Sequence, residues 1–249
     1  MKESMLWPIW SLFKREFFSY FRSPVAYVFM IIFILASVGC AFFLGGLYEG
    51  NQASLVMFFT FLPWLYLVLV PAVGMKLWAE ERRSGTIELL LTLPIDLSHV
   101  VVAKFLAGWA FISIATLLSF PLAITVNYLG EPDNGVILTS YLGAILMAGS
   151  YLSITCLTSA LTKNQVVSFI LGVIICFVLV LVGWGVFTSL LATIFPAVII
   201  DFIASLGFMT HFISISRGVI DTRAVIYFIS VIVVALSLNS LVLQQRKAS

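Results

Sequence analysis

The chain has 249 residues, 62% of them hydrophobic and only 10% charged, and its mean hydropathy is +1.15. A soluble domain runs near roughly 45–50% apolar and about 25% charged, so one water-facing core cannot hide this composition and lipid must form part of the solvent. The net charge of +2 gives no electrostatic case for nucleic acid, and the expected fold class is an all-α polytopic membrane protein forming a single membrane domain over residues 1–249.

In chain order, residues 5–23 read as an amphipathic helix. Trp10, Phe13, Phe17, Tyr20 and Phe21 share one face. Ser11, Arg15, Ser19 and Arg22 share the other, with Lys14 at the margin. That pattern suits a helix lying in the membrane interface, the alternative being a plain extension of the first span. Pro24 turns the chain before residues 25–46, the first of six apolar runs of spanning length. The others are 55–75, 100–129, 136–161, 166–188 and 224–243. Pro63, Pro71 and Pro121 each remove an N–H within or near these helices and can kink them.

Residues 190–222 break at Pro196 and carry Asp201, Gly207 and His211. They are expected to form short re-entrant helices on the external side rather than a seventh span. Asp201, an acid in an apolar stretch, is a candidate substrate contact, although capping a short re-entrant helix explains it more simply. Arg217 and Asp221, four apart, are expected to pair along a short helix.

With six spans and the N-terminus inside, the cytoplasmic segments hold Lys2, Lys14, Arg15, Arg22, Lys76, Arg82, Arg83, Lys104, Lys163, Arg246 and Lys247. Only Arg217 and Arg223 fall outside. This bias places both termini in the cytoplasm by the positive-inside rule.

The richest local signal is the loop 78–96, WAEERRSGTIELLLTLPID, between the second and third spans. Glu80, Glu81, Arg82 and Arg83 continue the second helix beyond the membrane. Gly85 lets the chain reverse. Thr86 to Leu93 then reads as a short helix, with Glu88 in its favourable first turn and Pro94 as its stop. Ile87, Leu89, Leu90, Leu91 and Leu93 leave it too apolar for water. It needs either a partner protein, as a coupling helix would, or the lipid surface, and physics alone does not separate the two.

The pattern Glu81-x3-Gly85-Thr86-x-Glu88-x-Leu90-x3-Pro94, set between helices two and three of six, resembles the permease subunits of ABC-2 type transporters. The run His211–Asp221 resembles a stretch of one branch, related to gliding-motility and nitrous-oxide-reductase-maturation permeases. The resemblance implies half of a dimeric pathway, with a second copy or a paralogue completing it and an ABC ATPase docked below. It makes Glu80, Glu81, Arg82, Arg83, Gly85, Thr86, Glu88, Leu90 and Pro94 the ATPase-coupling residues. It also implies a bacterial inner (plasma) membrane location, ATP-driven export, and in some relatives a membrane-anchored extracytoplasmic companion. A mechanotransmission subunit that relays ATPase motion without moving a solute is the alternative.

No G-x4-G-K-[ST] phosphate loop occurs, so ATP and magnesium are expected on the partner ATPase, with no cofactor held by this chain. No paired catalytic residues stand out, and the chain is expected not to be an enzyme. Cys40, Cys156 and Cys176 lie in apolar runs and read as small core residues. Copper or sulfur delivery, associated with the nitrous-oxide branch, would need converging Cys, Met or His. Met30, Met57, Met75, Met147 and Met209 are far apart, and His99 and His211 lack a neighbouring ligand, so no metal site is expected.

Overall fold

A backbone surrounded by lipid must satisfy its hydrogen bonds within one segment, which leaves long apolar runs only the helix. The computed structural model describes residues 3–44, 54–87, 96–193 and 195–247. Glu88, Leu90 and Pro94 of the expected coupling helix lie outside them. The described residues form α1 (Glu3–Arg22), α2 (Pro24–Gly39, continued by a π-helical turn, Cys40–Leu44), α3 (Val56–Gly74), α4 (Lys76–Ser84), α5 (Leu97–Leu117) and α6 (Pro121–Leu129). There follow α7 (Asn134–Leu161), α8 (Gln165–Val182), α9 (Gly185–Leu191), α10 (Ala197–Ser205), α11 (Phe208–Ile215) and α12 (Thr222–Lys247). Among the described residues six stretches are long and apolar enough to cross a membrane: α2, α3 with α4, α5 with α6, α7, α8 and α12, or seven if the bent pair α10 and α11 counts as one span. The protein is therefore an all-α polytopic membrane protein.

Local chemistry sets several of the breaks. Pro24 occupies the start of α2 behind an extended Ser23, a position where its missing N–H costs nothing. The apolar run 100–129 is two helices rather than one. Pro121 cannot donate to Leu117, and the turn Leu118–Phe120 closes with Ser119 N donating to Thr116 O and Phe120 N to Leu117 O. Pro63 and Pro71, by contrast, stay inside α3, and the Pro63 carbonyl accepts from Tyr151 Oη of α7 at 3.1 Å. Asp133 caps α7, accepting from the amides of Gly135 and Val136.

α7 is the central post, packed by α3, α4, α5, α8 and α12. Its small residues permit close approach, as expected where helices associate without a hydrophobic driving force. Thr155 marks the tightest point. A Cβ on Gly74 of α3 would sit 2.1 Å from Thr155 Oγ1, and one on Gly172 of α8 would sit 2.6 Å from Thr155 Cγ2. Hydroxyls add cross-links: Ser150 Oγ donates to Phe228 O of α12 and Thr158 Oγ1 to Ser168 O of α8. By comparison, α2, α8 and α12 leave much of their apolar surface open to lipid.

Candidate functional site

α3 ends its apolar course at Gly74, and α4 carries the helix on into polar sequence. Its first turn is moored on α7 through one hydroxyl. Ser159 Oγ accepts from the amides of Trp78 and Ala79, each at 3.0 Å, and donates to Met75 O at 2.8 Å. Amides at a helix start have no partner within the helix, so Ser159 acts as a cap supplied from another element. Further along, Arg82 Nη1 donates to Ala160 O at 2.7 Å.

Gly85 closes α4 in the left-handed conformation, with φ of 75°, the conformation glycine adopts most cheaply beyond a helix end. The last carbonyls of α4 are satisfied locally: Ser84 Oγ donates to Glu80 O and lies 2.9 Å from Thr86 Oγ1, which reaches Glu81 O. Glu80, Arg83, Gly85 and Thr86 are exposed. Ile87 packs against the core.

Beneath this elbow lies a buried ammonium. Lys104 of α5 is 3% exposed, its Nζ 2.7 Å from Glu81 Oε1 and 3.2 Å from Glu16 Oε2 of α1. The same Nζ lies over the Trp78 ring, 5.4 Å from its centroid. Arg15 donates to the other Glu16 oxygen at 2.9 Å. Burial pushes the Glu16 carboxyl up, but the Lys104 ammonium and the hydrogen bonds from Arg15 and Lys104 outweigh it, leaving the group below its ordinary value. One lysine thus joins α1, α4 and α5. α1 runs along α5 with Tyr20 stacked on Phe111 and Phe21 edge-on to the same ring. Along α1, Trp10, Phe13, Phe17 and Phe21 form a ladder of ring contacts.

The chain of contacts continues through Trp78. Its indole Nε1 donates to Cys156 Sγ at 3.2 Å, and Asn239 Nδ2 of α12 donates to the same sulfur at 2.9 Å. All three side chains are fully buried. From Glu16 to Asn239, five helices meet in one connected polar cluster at the end of the bundle that holds α4. Glu16, Lys104, Trp78, Cys156, Ser159 and Asn239 are members that sequence reasoning did not single out. The readable signal was Lys104, a charge inside the apolar run 100–129.

The far end is built differently. α10 and α11 meet at a bend of 72°. Asp201 sits exposed in the middle of α10, whose N-cap position is Pro196. The expected capping role for Asp201 is therefore not realised. His211 stacks on Tyr227 with centroids 3.9 Å apart, and its Nε2 lies 2.8 Å from Ser205 O. Arg217 and Asp221 do not pair, because α11 ends at Ile215 and Gly218 turns the chain at φ of 92°. Asp221 instead accepts from Ser214 Oγ and from the Arg223 amide, each at 2.9 Å. Among the described residues no group of three or more His, Cys, Asp or Glu is placed to hold a metal ion.

The helical membrane fold agrees with the sequence comparisons. Residues 50–245 match the family described as ABC-2 family transporter protein, and the chain belongs to that family. Over 165 residues it is 27% identical to the probable ABC transporter permease protein NosY of Pseudomonas aeruginosa. That match covers 61% of this chain and 57% of the relative's length.

Proposed function

We propose that this chain is the membrane permease of an ATP-driven transporter, forming half of a dimeric export pathway, with ATP hydrolysis supplied by a separate ABC ATPase docked at the α4–Gly85 elbow. The observation that carries the reading is the mooring of that elbow. α4 is fixed to α7 by Ser159 and Arg82 and to α1 and α5 by Lys104, so a push on the exposed turn at Gly85 is passed to the spans rather than absorbed. The basic bias of this end supports a cytoplasmic position for the elbow and both termini in a bacterial inner membrane. Family membership and likeness to a named ABC permease support the ATPase partner and the second permease copy. ATP and magnesium belong, in this reading, to the ATPase, and this chain is not an enzyme.

The test is substitution at the elbow in the reconstituted complex. Gly85→Pro forbids the left-handed turn, and Glu88→Ala removes a carboxylate from the coupling segment. Each is expected to abolish ATP-dependent activity while the complex still assembles. Unchanged activity in both, at normal assembly, would contradict the assignment. Relay of motion to an extracytoplasmic companion, without solute movement, predicts a sealed dimer interface; export predicts a continuous polar cavity there.

A further inference from the structure

A cavity of about 530 Å³ opens beside the buried lysine, between α1, the start of α2, the α3–α4 junction and α5. Its wall changes character with depth. Of its lining residues Arg22 and Glu80 are exposed and Lys76 is half-buried, whereas Ala26, Ala72 and Phe111 are buried. The charges divide into two groups. Lys104, Arg15, Glu16 and Glu81 pair with one another, although Glu81 Oε2 has no hydrogen-bond partner among the described residues. Among the described residues Arg22, Lys76 and Glu80 have no ion-pair partner, leaving two cations and one carboxylate facing the space.

The depth of these three residues is set by the helices that carry them. Arg22 is the last residue of α1, two before Pro24 begins the apolar α2, and Lys76 follows directly on the apolar run of α3. They stand at the level where hydrocarbon gives way to headgroups, the usual place for basic side chains on spanning helices. Next to the cavity lies a second, apolar crevice of only about 20 Å³. Phe29, Val73 and Phe111 line both, and Met30, Phe33 and Leu69 carry the crevice deeper between α2, α3 and α5. A charged chamber at headgroup level, floored by apolar side chains and set beside the exposed α2, suits a phospholipid headgroup.

We propose that this chamber holds the headgroup of a resident phospholipid bearing both a phosphate and a primary ammonium, that is, a phosphoethanolamine lipid. Arg22 and Lys76 meet the phosphate through charge-assisted hydrogen bonds, Glu80 accepts from the ammonium, and the acyl chains leave past Phe29 of the largely exposed α2 into the surrounding bilayer. A purely anionic headgroup leaves Glu80 facing like charge. A choline headgroup offers that carboxylate no N–H. The lipid then acts as a wedge between α1 and the elbow.

The full-length protein is reconstituted from an equimolar mixture of phosphatidylethanolamine, phosphatidylcholine and phosphatidylglycerol, re-extracted in mild detergent, and its retained lipids are counted by native mass spectrometry. Phosphatidylethanolamine is expected to be enriched at least about tenfold over phosphatidylcholine, the ratio one charge-assisted hydrogen bond supports. Glu80→Gln should remove that preference, and Arg22→Gln with Lys76→Gln should remove retention. Val73→Phe fills the junction of chamber and crevice without changing charge and should displace the lipid as well. Melting curves establish that each variant is folded. Water-soluble phosphoethanolamine should not compete at millimolar concentration. Equal retention of the three lipids, preference for phosphatidylglycerol, retention unaffected by the substitutions in folded protein, or full competition by the free headgroup would each overturn the proposal.

Discussion

The two ends of the bundle solve the problem of holding polar groups in opposite ways. At the elbow, side chains from five helices bond to one another across long stretches of sequence: Glu16 and Glu81 to Lys104, and Trp78 and Asn239 to Cys156. At the far end the hydrogen bonds of α10 and α11 are mostly short-range: Thr210 to Ala204 O, His211 to Ser205 O, and Ser214 to Asp221, with Tyr227 to Leu206 O the link to α12. No residue of α9 or α10 is buried. The first arrangement makes several helices move as one body. The second lets a segment shift without disturbing the spans, since local openings follow sparse burial. A machine driven from one end needs that asymmetry, with stiffness where force enters and compliance where the response emerges.

Substitutions at the two ends should therefore behave differently, and Lys104 offers the largest contrast. Lys104→Met leaves the half-buried Glu81 without its counter-charge and Glu16 with Arg15 alone, a change of up to about 3–5 kcal/mol, the range for removing one partner of a buried pair. Adding Glu16→Gln and Glu81→Gln to the same protein should recover most of the loss. Thermal unfolding in detergent checks both, and a triple variant as unstable as the single one would show that packing rather than charge dominates.

Next in size is the Trp78–Cys156–Asn239 junction. Cys156→Ala strands two buried donors at about 1–3 kcal/mol, whereas Cys156→Ser keeps an acceptor and should cost less. At the far end, the crossing of α8 and α11 leaves no room for a side chain: a Cβ on Gly207 would lie 2.2 Å from Gly183 Cα. Gly207→Leu should cost about 1–3 kcal/mol by overpacking. The matching prediction concerns place: proteolysis should become easier between α9 and α11, while the elbow keeps its protection.

The smallest effect is a dependence on pH. The Glu16 carboxyl titrates below its ordinary value of 4.5 because Lys104 and Arg15 overcome its burial. A depressed folded-state value stabilises fully above the unfolded value and fades as pH falls through the folded one. The melting difference between wild type and Glu16→Gln should accordingly be present at pH 7 and shrink to nothing in acid below 4.5. Asp221 is also held low, by the Arg223 amide and then the Ser214 hydroxyl. It lies at the surface with no buried ion pair, so its acid response should be weaker.

What the sequence disclosed follows from the range of each interaction. Apolar runs of spanning length, a proline-marked entry at Pro24 and a glycine after the charged turn at Gly85 are local facts, and each can be read in a window of a few residues. The Lys104 cluster could not be read this way, because Glu16, Glu81 and Lys104 meet only once α1, α4 and α5 have packed. Lys104 still carried a clue, lying inside the apolar run 100–129 although it was counted among the cytoplasmic charges. Cys156 is the small core residue expected, yet its sulfur is also a shared acceptor, a role that depends on the register of α12. Asp201 misled in the other direction. Its position suggested a cap, but the helix begins at Ala197 and leaves it mid-helix and exposed.

The most direct test of the central claim is mild-detergent copurification of the wild-type chain and the Gly85→Pro variant, with identification of every bound protein. The account predicts an ATP-binding subunit held by the wild type, and ATP-dependent activity lost in the variant although the subunit still assembles with it. A wild-type chain that retains no ATP-binding subunit would contradict it.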